Sequence, residues 1–457
     1  MGKLEVNLDL IKKYNVPGPR YTSYPPATQF TESVAWDTLR ERIRQNNETP
    51  RDLSLYFHLP FCEALCWFCG CTTIITTQHD QAGHYLGYLA KELALVTPSL
   101  HPQRQVVQLH FGGGTPTFFR AHELRALGEL IHKHFRLAPE LEAGVEIDPR
   151  HCTHDQLTAL REIGFNRASI GVQDNNPVVQ KAVHRIQPRE LTAEVVGWIR
   201  AAGFQSLNID LIYGLPYQTV DSFARTLDEI LELSPDRFAI FSYAHVPWIK
   251  PAQKILEKDA LPTAEVKLDL LKFTIEKLTA EGYRYVGMDH FAKDTDELAV
   301  AQEQKTLQRN FQGYSTRGGA DIYAFGMSSI SQTDGVYWQN EKELPAYAAA
   351  LDAGRWPHAR GYVMNDDDKV RRRTIMRLMC DLSLDYRAMS RDLGLEFPKY
   401  FNRELASLDD LEADGLLRRT DQALSVTDAG RLLIRNIAMR FDAYLPGVKE
   451  RRFSRTI

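Results

Sequence analysis

The sequence predicts an α/β protein: a partial (β/α)6-type barrel with an N-terminal extension and a mostly helical, winged-helix-like C-terminal domain. Three observations lead to this fold class. Short β-rich apolar runs alternate with helical patterns between about residues 52 and 290, prolines interrupt the segment before them, and short helical patterns follow from about residue 365. Near-continuous apolar strands separated by helices are typical of a parallel sheet that is covered on both faces.

The first 50 residues are predicted to be an irregular or partly helical extension. Pro17–Pro26 cannot form the interior of a helix, because its repeated prolines lack backbone donors and clash with the preceding turn. This segment is interpreted as an extended ribbon that carries aromatic side chains and Arg20. We expect residues 1–50 to cover the active site; the alternative is that they only pack against the barrel.

Six β-rich runs define the predicted barrel domain, residues 51–290. The runs are Leu53–His58, Val106–Phe111, Gly144–Ile147, Ala168–Val172, Leu207–Tyr213 and Phe238–Tyr243. The helical patterns between them cover residues 81–96, 122–135, 155–163, 189–202 and 220–232, and a helix at 264–280 and a strand at Tyr283–Gly287 follow. An open or a closed barrel fits this pattern, and periodicity alone does not exclude a doubly wound sheet.

The remaining chain is predicted to form two further segments. Residues 291–364 are expected to complete the barrel and face the substrate, and residues 365–457 to form the helical C-terminal domain. In that domain, Asp414–Leu417 followed by Leu424–Arg431 is typical of a helix end, a small hairpin and a new helix. A winged-helix-like pattern is compatible with DNA binding, but fold does not determine function and no basic surplus supports it.

Composition and charge argue against several classes of protein. The 457 residues carry a net charge of −4, so bulk electrostatics give no reason to expect nucleic acid or an anionic membrane as partner. No run of 18 apolar residues predicts a membrane span, and Met1–Glu5 lacks the apolar core of a secretion signal. The expectation is a cytoplasmic, monomeric protein with reduced thiols.

The most informative motif is a C-x3-C-x2-C loop, formed by Cys62, Cys66 and Cys69 after the first run. Cysteine thiolates are the usual protein ligands of iron–sulfur clusters. Three of them can hold three corners of a 4Fe–4S cluster, which leaves the fourth iron open to a small molecule. An open position of this kind distinguishes a reactive metal site from a structural one.

Two other uses of these cysteines stay open. A structural zinc site would add Cys71 as a fourth ligand. A disulfide framework is disfavoured, because six cysteines are sparse in a chain of this length. Outside such sites, Cys71, Cys152 and Cys380 are each expected to be buried core residues.

Further candidate residues lie at the ends of the predicted strands, where functional residues of parallel sheets gather. Gly112–Pro116 follows the second run, Glu146–Pro149 closes the third, and Gln173 closes the fourth. Glycines one strand after a three-cysteine loop would let the backbone approach a ligand closely. Asp210 lies within the apolar fifth run, where a carboxylate needs a ligand or partner to offset the cost of burial.

The cysteine loop followed by Gly112–Pro116 resembles the radical S-adenosylmethionine (SAM) enzymes. Further runs are similar to one family among them, the oxygen-independent coproporphyrinogen III oxidases. These runs are Gly18–Pro25, Cys69–Cys71, Val145–Arg150, Gly171–Asp174, Asn208–Pro216 and Arg309–Tyr314. The similarity extends from about Tyr14 to the C-terminus, and the Pro19–Pro25 ribbon is its most specific mark.

The resemblance implies the anaerobic oxidative decarboxylation of two propionates of coproporphyrinogen III to vinyl groups, giving protoporphyrinogen IX in haem biosynthesis. In this family a reduced 4Fe–4S cluster splits SAM, and the 5′-deoxyadenosyl radical removes a hydrogen from the β-carbon of a propionate. An external electron donor and acceptor are needed, and the sequence identifies neither. The alternatives are a related haem-trafficking protein without oxidase activity, against which the Pro19–Pro25 ribbon argues, and a zinc-stabilised regulator.

The resemblance also implies residue roles. Cys62, Cys66 and Cys69 would ligate the cluster. SAM would contact Tyr56, Phe68, Gly113, Gly114, Thr115 and Glu146. Members of the family hold a second SAM near the first. The residues that match positions tied to SAM binding in the family are Gln173, Arg185, Asp210, Ala244 and Ile330. Substrate propionates would contact Arg20, Arg309 and Gln312.

Some of these residues also have ordinary structural interpretations. Tyr56 and Phe68 would be core aromatics, Glu146 a member of a surface salt bridge, and Arg185 a helix-surface arginine. If Arg185 instead binds a ligand, its guanidinium could hold a carboxylate in two-pronged fashion, which lysine cannot do.

Overall fold

A computed structural model of the chain describes residues 4–258 and 260–445. The strands in chain order are β1 Leu53–Leu59, β2 Phe61–Cys62, β3 Ile74–Ile75, β4 Gln105–Gly113, β5 Arg136–Ile147, β6 Arg167–Gln173, β7 Ser206–Tyr213, β8 Arg237–Ser242, β9 Tyr283–Gly287, β10 His290–Lys293, β11 Gln308–Asn310, β12 Gly313–Ser315, β13 Asp321–Phe325, β14 Ile330–Gln332, β15 Val336–Asn340, β16 His358–Val363, β17 Ser383–Asp385, β18 Leu417–Arg419 and β19 Ala423–Val426.

The α-helices of the described chain vary widely in length. They are α1 Leu8–Tyr14, α2 Trp36–Asn46, α3 Asp80–Val96, α4 Ala121–His134, α5 His154–Ile163, α6 Pro177–Ala182, α7 Arg189–Ala201, α8 Val220–Leu231, α9 Ala264–Ala280, α10 Glu297–Glu303, α11 Leu344–Asp352, α12 Asp366–Asp381, α13 Tyr386–Leu393, α14 Phe397–Tyr400, α15 Asn402–Ala406, α16 Asp409–Ala413, α17 Asp428–Leu432 and α18 Ile434–Met439. None of them is both long and apolar enough to cross a bilayer.

The chain divides into two compact units. The first, which we call the sheet unit, consists of Phe30–Lys267 and Gly319–Val363. The second, which we call the helical unit, consists of the described residues up to Gln29, of Leu268–Gly318 and of the described residues from Met364 onward.

The strand order of the sheet unit decides between the barrel-type and the doubly wound alternatives. Its strands lie in the order β16-β15-β14-β13-β1-β4-β5-β6-β7-β8, and β1 to β8 of this series follow one another in chain order. Right-handed crossovers between strands that always advance in the same direction place the intervening helices on one face. The sheet is therefore barrel-type, and it is open because its strand order does not close: among the described strands β16 and β8 do not pair with each other.

The six predicted runs are confirmed as the parallel strands β1, β4, β5, β6, β7 and β8. Two features were not predicted. β5 begins already at Arg136; it was not predicted there because its first six residues include Pro139 and two charged residues, so they form no continuous apolar run. β13 is a seventh parallel strand, which pairs with β1 and is followed by the antiparallel edge β14–β16.

Local sequence explains the helices between these strands. In α5, Thr153 accepts a hydrogen bond from the backbone of Gln156, whose side chain binds the Thr153 backbone in return, and Gly164 ends the helix with φ +117°. This is a capping box followed by a left-handed terminator. α8 begins at a second such box on Thr219 and buries Phe223, with Leu227 and Ile230 on the same side.

The two faces of the sheet differ, which corrects the expectation of full cover on both. Along β6, Ala168, Ile170 and Val172 are buried, whereas Ser169, Gly171 and Gln173 are half-buried. Along β7, Asn208 and Asp210 alternate with buried neighbours in the same way. Successive side chains of a strand point to opposite faces, so one face is apolar and the other carries accessible polar groups.

The helical unit has its own core, which contains the aromatics of the N-terminal ribbon. Tyr21 and Tyr24 are fully buried there; the Tyr21 hydroxyl donates to Asp442, and the Tyr24 hydroxyl accepts from the backbone of Ala443. These two rings are therefore core residues of the helical unit and are not available to cover a flat ligand. That residues 1–50 cover the active site stays a prediction. Pro17–Pro26 contains no helix, as predicted.

The predicted helix–hairpin–helix pattern is confirmed as α16, β18, β19 and α17, with β17 as a third antiparallel strand. α17 lies against the backbone of Leu416. A Cβ on Gly430 would stand 1.8 Å from the Leu416 carbonyl oxygen, so only glycine fits at this position. The C-terminal part of the chain is therefore mostly helical with a small winged-helix-like sheet.

Candidate functional site

The cysteine loop is held at both ends by a short pair of parallel strands. β2 pairs with β3, so that Phe61 lies opposite Ile74 and Cys62 opposite Ile75. The Ile74 amide donates to the Pro60 carbonyl at 2.8 Å, and the Thr76 amide donates to the Cys62 carbonyl at 2.9 Å. The loop from Cys62 to Cys71 therefore begins and ends close to this strand pair.

The glycine turn after β4 packs directly against this loop. The amide of Gly114 donates to the Leu59 carbonyl and that of Thr115 to the Phe61 carbonyl, both at 2.8 Å. A Cβ on Gly114 would lie 2.6 Å from the carbonyl of Pro60, and Gly113 has φ +113°. The close approach that these glycines permit is thus, first of all, the approach of the turn to the cysteine loop itself.

The three candidate ligand thiols have different surroundings. Cys66 is buried, whereas Cys62 and Cys69 are half-buried. Burial raises the pKa of the Cys62 thiol to about 11, although its sulfur lies 3.3 Å from the Thr115 hydroxyl. A hydrogen bond from the Cys71 side chain is the main cause that lowers the pKa of Cys69 to about 6.

The other cysteines divide into two groups. Cys152 and Cys380 are buried, as expected. The expectation for Cys71 is wrong: its side chain is exposed, because it lies in the irregular turn between the cysteine loop and β3 rather than on an element that faces the core.

The donor set has the chemistry of a cluster site. Across residues 4–258 and 260–445, no three His, Cys, Asp or Glu side chains converge as ligands of one metal ion. A 4Fe–4S cluster binds its thiolates through separate irons, so its ligands need not converge on one point. Three thiols on one loop that is fixed at both ends fit that requirement.

Two arginines lie against the sulfur of Cys66, and one carboxylate holds both. Nη2 of Arg150 lies 3.4 Å and Nη1 of Arg185 3.6 Å from the Cys66 sulfur. Arg150 binds both carboxylate oxygens of Asp148, at 3.0 Å and 2.7 Å, and Arg185 binds one of them at 2.9 Å. Burial opposes ionisation of Asp148, but these guanidiniums lower its pKa to about 2.

The environment of Arg185 corrects one expectation. Its side chain is buried, so it is not a helix-surface arginine. Both terminal nitrogens contact the protein, since Nη1 binds Asp148 and Nη2 donates to the Gly171 carbonyl at 2.6 Å. Only its Nε remains buried without a hydrogen-bond partner in the described chain.

A second buried polar atom without a partner lies nearby. Oε1 of Gln173, at the end of β6, has no hydrogen-bond partner among the described residues. Gln173 has φ +72°. A Cβ built on Gly171 would lie 2.8 Å from Nε2 of Gln173 and would also approach the Arg185 guanidinium, so these side chains lie close together. Buried polar atoms are rarely left unpaired, so an acceptor and a donor at the end of one strand fit a polar ligand.

Aromatic and acidic groups continue the polar face across β1, β4 and β5. The ring of Tyr56 stacks on His110 with centroids 5.8 Å apart, and its hydroxyl lies 3.2 Å from His58. Glu146 accepts from the Gly113 amide at 3.2 Å and lies 3.3 Å from Nε2 of His110. Burial works against the charged form, yet these hydrogen bonds lower the pKa of Glu146.

Asp210 extends the same face to β7. Its carboxylate lies 2.7 Å from the Asn208 amide and 3.2 Å from the Ser169 hydroxyl. The expected partners are therefore supplied by the protein itself. Burial nevertheless raises the pKa of Asp210 to about 7.

The remaining candidates of the sheet unit lie around this face. Phe68 is half-buried and packs on an apolar cluster that includes Val183 and Leu256, which agrees with its interpretation as a core aromatic. Ala244 is exposed just after β8, and Ile330 is half-buried at the start of β14, two strands from β1.

The three substrate candidates belong to the helical unit. Arg20 forms an ion pair with Asp289. Arg309 is buried; its Nε donates to the Arg20 carbonyl at 3.4 Å, its guanidinium lies 4.8 Å from the ring centroid of Tyr314, and its Nη1 has no hydrogen-bond partner in the described chain. Gln312 lies in the turn between β11 and β12.

Several residues of the site were not singled out from the sequence. They are His58, His110, Asp148, Arg150, Ser169 and Asn208. For His58, Ser169 and Asn208 a signal was available: each is separated by an even number of positions from a candidate on its own strand, so that both face the same side. His110 gave no such signal, because it lies three positions from Gly113 on β4. Asp148 lies within the Glu146–Pro149 run at the end of the third predicted strand, and Arg150 appeared only in the resemblance.

Comparison with known proteins agrees with this geometry. Residues 56–230 match the model of the radical SAM superfamily, and residues 364–433 match the HemN C-terminal domain. Proteins named oxygen-independent coproporphyrinogen III oxidase are 47% identical in Synechocystis (99% of this chain, 98% of the relative) and 45% identical in Pseudomonas aeruginosa (98% of each). A solved structure described as coproporphyrinogen III oxidase from Escherichia coli, a radical SAM enzyme, has a TM-score of 0.92 and 43% identity, covering 97% of this chain and all of that one.

Proposed function

This chain belongs to the oxygen-independent coproporphyrinogen III oxidase family of radical SAM enzymes, and from that membership we propose the reaction that it performs. Two propionates of coproporphyrinogen III become vinyl groups, giving protoporphyrinogen IX. Each propionate loses a hydrogen atom from its β-carbon, carbon dioxide and one electron. When bound, a reduced 4Fe–4S cluster and SAM supply the 5′-deoxyadenosyl radical that accepts this hydrogen atom.

The observation that carries the proposal is the cysteine loop fixed beside the glycine turn. Cys62, Cys66 and Cys69 would ligate three irons of the cluster. The β2–β3 pair and the hydrogen bonds of Gly114 and Thr115 hold this loop in one position. A fixed loop limits the reorganisation that accompanies electron transfer, and it leaves the fourth iron accessible to SAM.

The polar face beside this loop would bind SAM. Glu146 would accept from the amine or the ribose hydroxyls, with Gly113, Gly114 and Thr115 lining the same molecule. Tyr56 and Phe68 would add aromatic contacts. Gln173 and Arg185 would pair their unsatisfied atoms with it.

A second SAM is part of this proposal. Asp210 on β7 and Ala244 just after β8 would contribute to it where the polar face reaches these strands. Ile330, also proposed as a contact, begins β14 toward the other end of the strand order. The pKa of Asp210, which burial raises to about 7, suits a group that gains a charged hydrogen-bond partner on binding.

The substrate would be recognised through its propionates. Arg309 has a buried Nη1 without a hydrogen-bond partner in the described chain, which suits a carboxylate, and Arg20 and Gln312 would assist it.

The reaction also needs an electron donor to reduce the cluster and an acceptor for the electron released by each propionate. The six cysteines are free thiols, which fits the reducing cytoplasm.

An anaerobic turnover assay tests the proposed function. The protein, reconstituted with iron and sulfide, is first reduced and freed of excess reductant. It is then mixed with SAM, an oxidised acceptor and coproporphyrinogen III, and the products are resolved by mass. We expect two successive products, each lighter than the one before by one carbon dioxide and two hydrogens, and we expect 5′-deoxyadenosine to form with them. Stoichiometric binding of haem without any vinyl product would instead identify a haem-trafficking protein.

A further inference from the structure

Arg150 makes a contact that none of the roles above requires. Its Nη2 lies 3.4 Å from the sulfur of Cys66, a residue 84 positions away in the sequence. The distance is suitable for an N–H···S hydrogen bond, because sulfur acceptors are larger than oxygen. Arg150 therefore directs a positively charged donor at one proposed ligand of the cluster.

The geometry fixes Arg150 in this position. Three hydrogen bonds join its Nε and Nη2 to the two carboxylate oxygens of Asp148, and Arg185 approaches Asp148 from another direction. The side chains of Arg150, Asp148 and Arg185 are 14%, 10% and 8% exposed. Two guanidiniums and one carboxylate leave a net charge of +1 beside the Cys66 sulfur, where little water is present to screen it.

We propose that Arg150 is a positioning residue that raises the reduction potential of the cluster. Reduction adds one electron to the cluster, so a nearby positive charge and an N–H donor to a ligand sulfur stabilise the reduced form more than the oxidised form. Hydrogen bonds to cluster sulfurs and net charge are known determinants of these potentials. Asp148 acts through Arg150 by fixing its orientation. The inference rests on the proposed function only in requiring a cluster on Cys62, Cys66 and Cys69.

The test is a redox titration of the reconstituted full-length protein, followed by electron paramagnetic resonance of the reduced cluster. Arg150→Gln removes the charge and should shift the midpoint to a more negative potential. Arg150→Lys keeps the charge but cannot bind both oxygens of Asp148 and the sulfur at once, so its shift should be smaller. The control is Arg125→Gln, which removes an arginine that also pairs with two carboxylates, Asp155 and Glu162, on helices away from the cysteine loop.

Each outcome decides the proposal. A potential of Arg150→Gln equal to or above that of the wild type would overturn it, as would an equal shift in Arg125→Gln. If Arg150→Gln assembles no cluster, Arg150→Lys decides in the same way. If neither variant assembles a cluster, Arg150 is required for assembly rather than for tuning, and the proposal is wrong. The titration needs no substrate, so it gives its answer even if the wild-type protein fails to oxidise coproporphyrinogen III.

Discussion

Replacing Gly114 with alanine tests whether the glycine turn fixes the cysteine loop. The new Cβ would lie 2.6 Å from the carbonyl carbon and oxygen of Pro60 and 2.7 Å from the carbonyl oxygen of Phe61. These are backbone atoms, which cannot turn away as a flexible side chain does. Contacts this short do not persist, so the turn must retreat from the loop by about 0.8 Å to reach ordinary van der Waals distance.

The size of this retreat determines how much easier the turn is expected to open. It would lengthen the hydrogen bonds from Gly114 to Leu59 and from Thr115 to Phe61 from 2.8 Å to about 3.6 Å, beyond useful hydrogen-bond geometry. Two lost hydrogen bonds cost about 1 kcal/mol each, and residual overpacking costs about 1–3 kcal/mol. Opening of the turn should therefore become easier by about 3–5 kcal/mol, and its amides should exchange with solvent roughly 150-fold faster or more.

Hydrogen exchange followed by mass spectrometry is the assay, on the peptide that contains Thr115. Iron content after anaerobic reconstitution is the second measurement, and it should fall as the loop loses its support. The matched control is Gly197→Ala, in α7, where a Cβ meets nothing within 4 Å and alanine favours the helix. Exchange in Gly114→Ala as slow as in Gly197→Ala, with full iron content, would refute the reasoning.

Three further perturbations have definite expected results. Cys66→Ser should abolish cluster assembly, because two thiolates remain, and iron and sulfide per chain measure this. Arg104→Met should lower the free energy of unfolding by about 3–5 kcal/mol in denaturant titrations, because it leaves the buried carboxylate of Asp321 without its ion-pair partner. Glu92→Gln should flatten the pH dependence of stability. Burial raises the pKa of Glu92 from 4.5 to about 7, so the folded protein holds a proton that the unfolded chain releases, and wild-type stability falls as the pH rises through this interval.

Each of these three predictions has a control variant or a result that would contradict it. Cys380→Ser should retain full iron content, since this thiol is buried in the core of the helical unit; equal iron in both cysteine variants contradicts the ligand assignment. Arg40→Met, in an exposed ion pair with Asp37, should change stability by less than about 1 kcal/mol. For Glu92, thermal unfolding is compared between about pH 5 and about pH 8. An unchanged slope in Glu92→Gln would place the proton elsewhere.

Strands of the sheet could be predicted where consecutive apolar residues mark them in the sequence. The predicted strand at Tyr283–Gly287 has the observed bounds, and Leu207–Tyr213 differs from the observed strand by one residue, because a run of apolar residues is itself the cause of a buried strand. β13 could not be placed in this way. Its five residues are all buried, but their pairing with β1 joins positions more than 260 residues apart, and no local pattern specifies such a partner.

The residues of the candidate site could likewise be predicted only where a local sequence pattern identifies them. Cys62, Cys66 and Cys69 were identified because ligand spacing is written within eight residues of sequence. The contact of Arg150 with Cys66 depends on how the end of β5 meets the cysteine loop, which no sequence period reveals. Cys71 was misjudged for a related reason: hydrophobic character predicts burial on average, whereas exposure of one residue depends on the direction of a turn.

Mössbauer spectroscopy of the 57Fe-reconstituted protein, kept free of oxygen, tests the central claim most directly. The claim is that Cys62, Cys66 and Cys69 hold three irons of a 4Fe–4S cluster and leave one iron open for SAM. The account predicts that SAM changes the spectrum of one iron in four and leaves the other three alike. Four irons that remain equivalent after SAM is added would contradict it, because a side chain would then already occupy the fourth position.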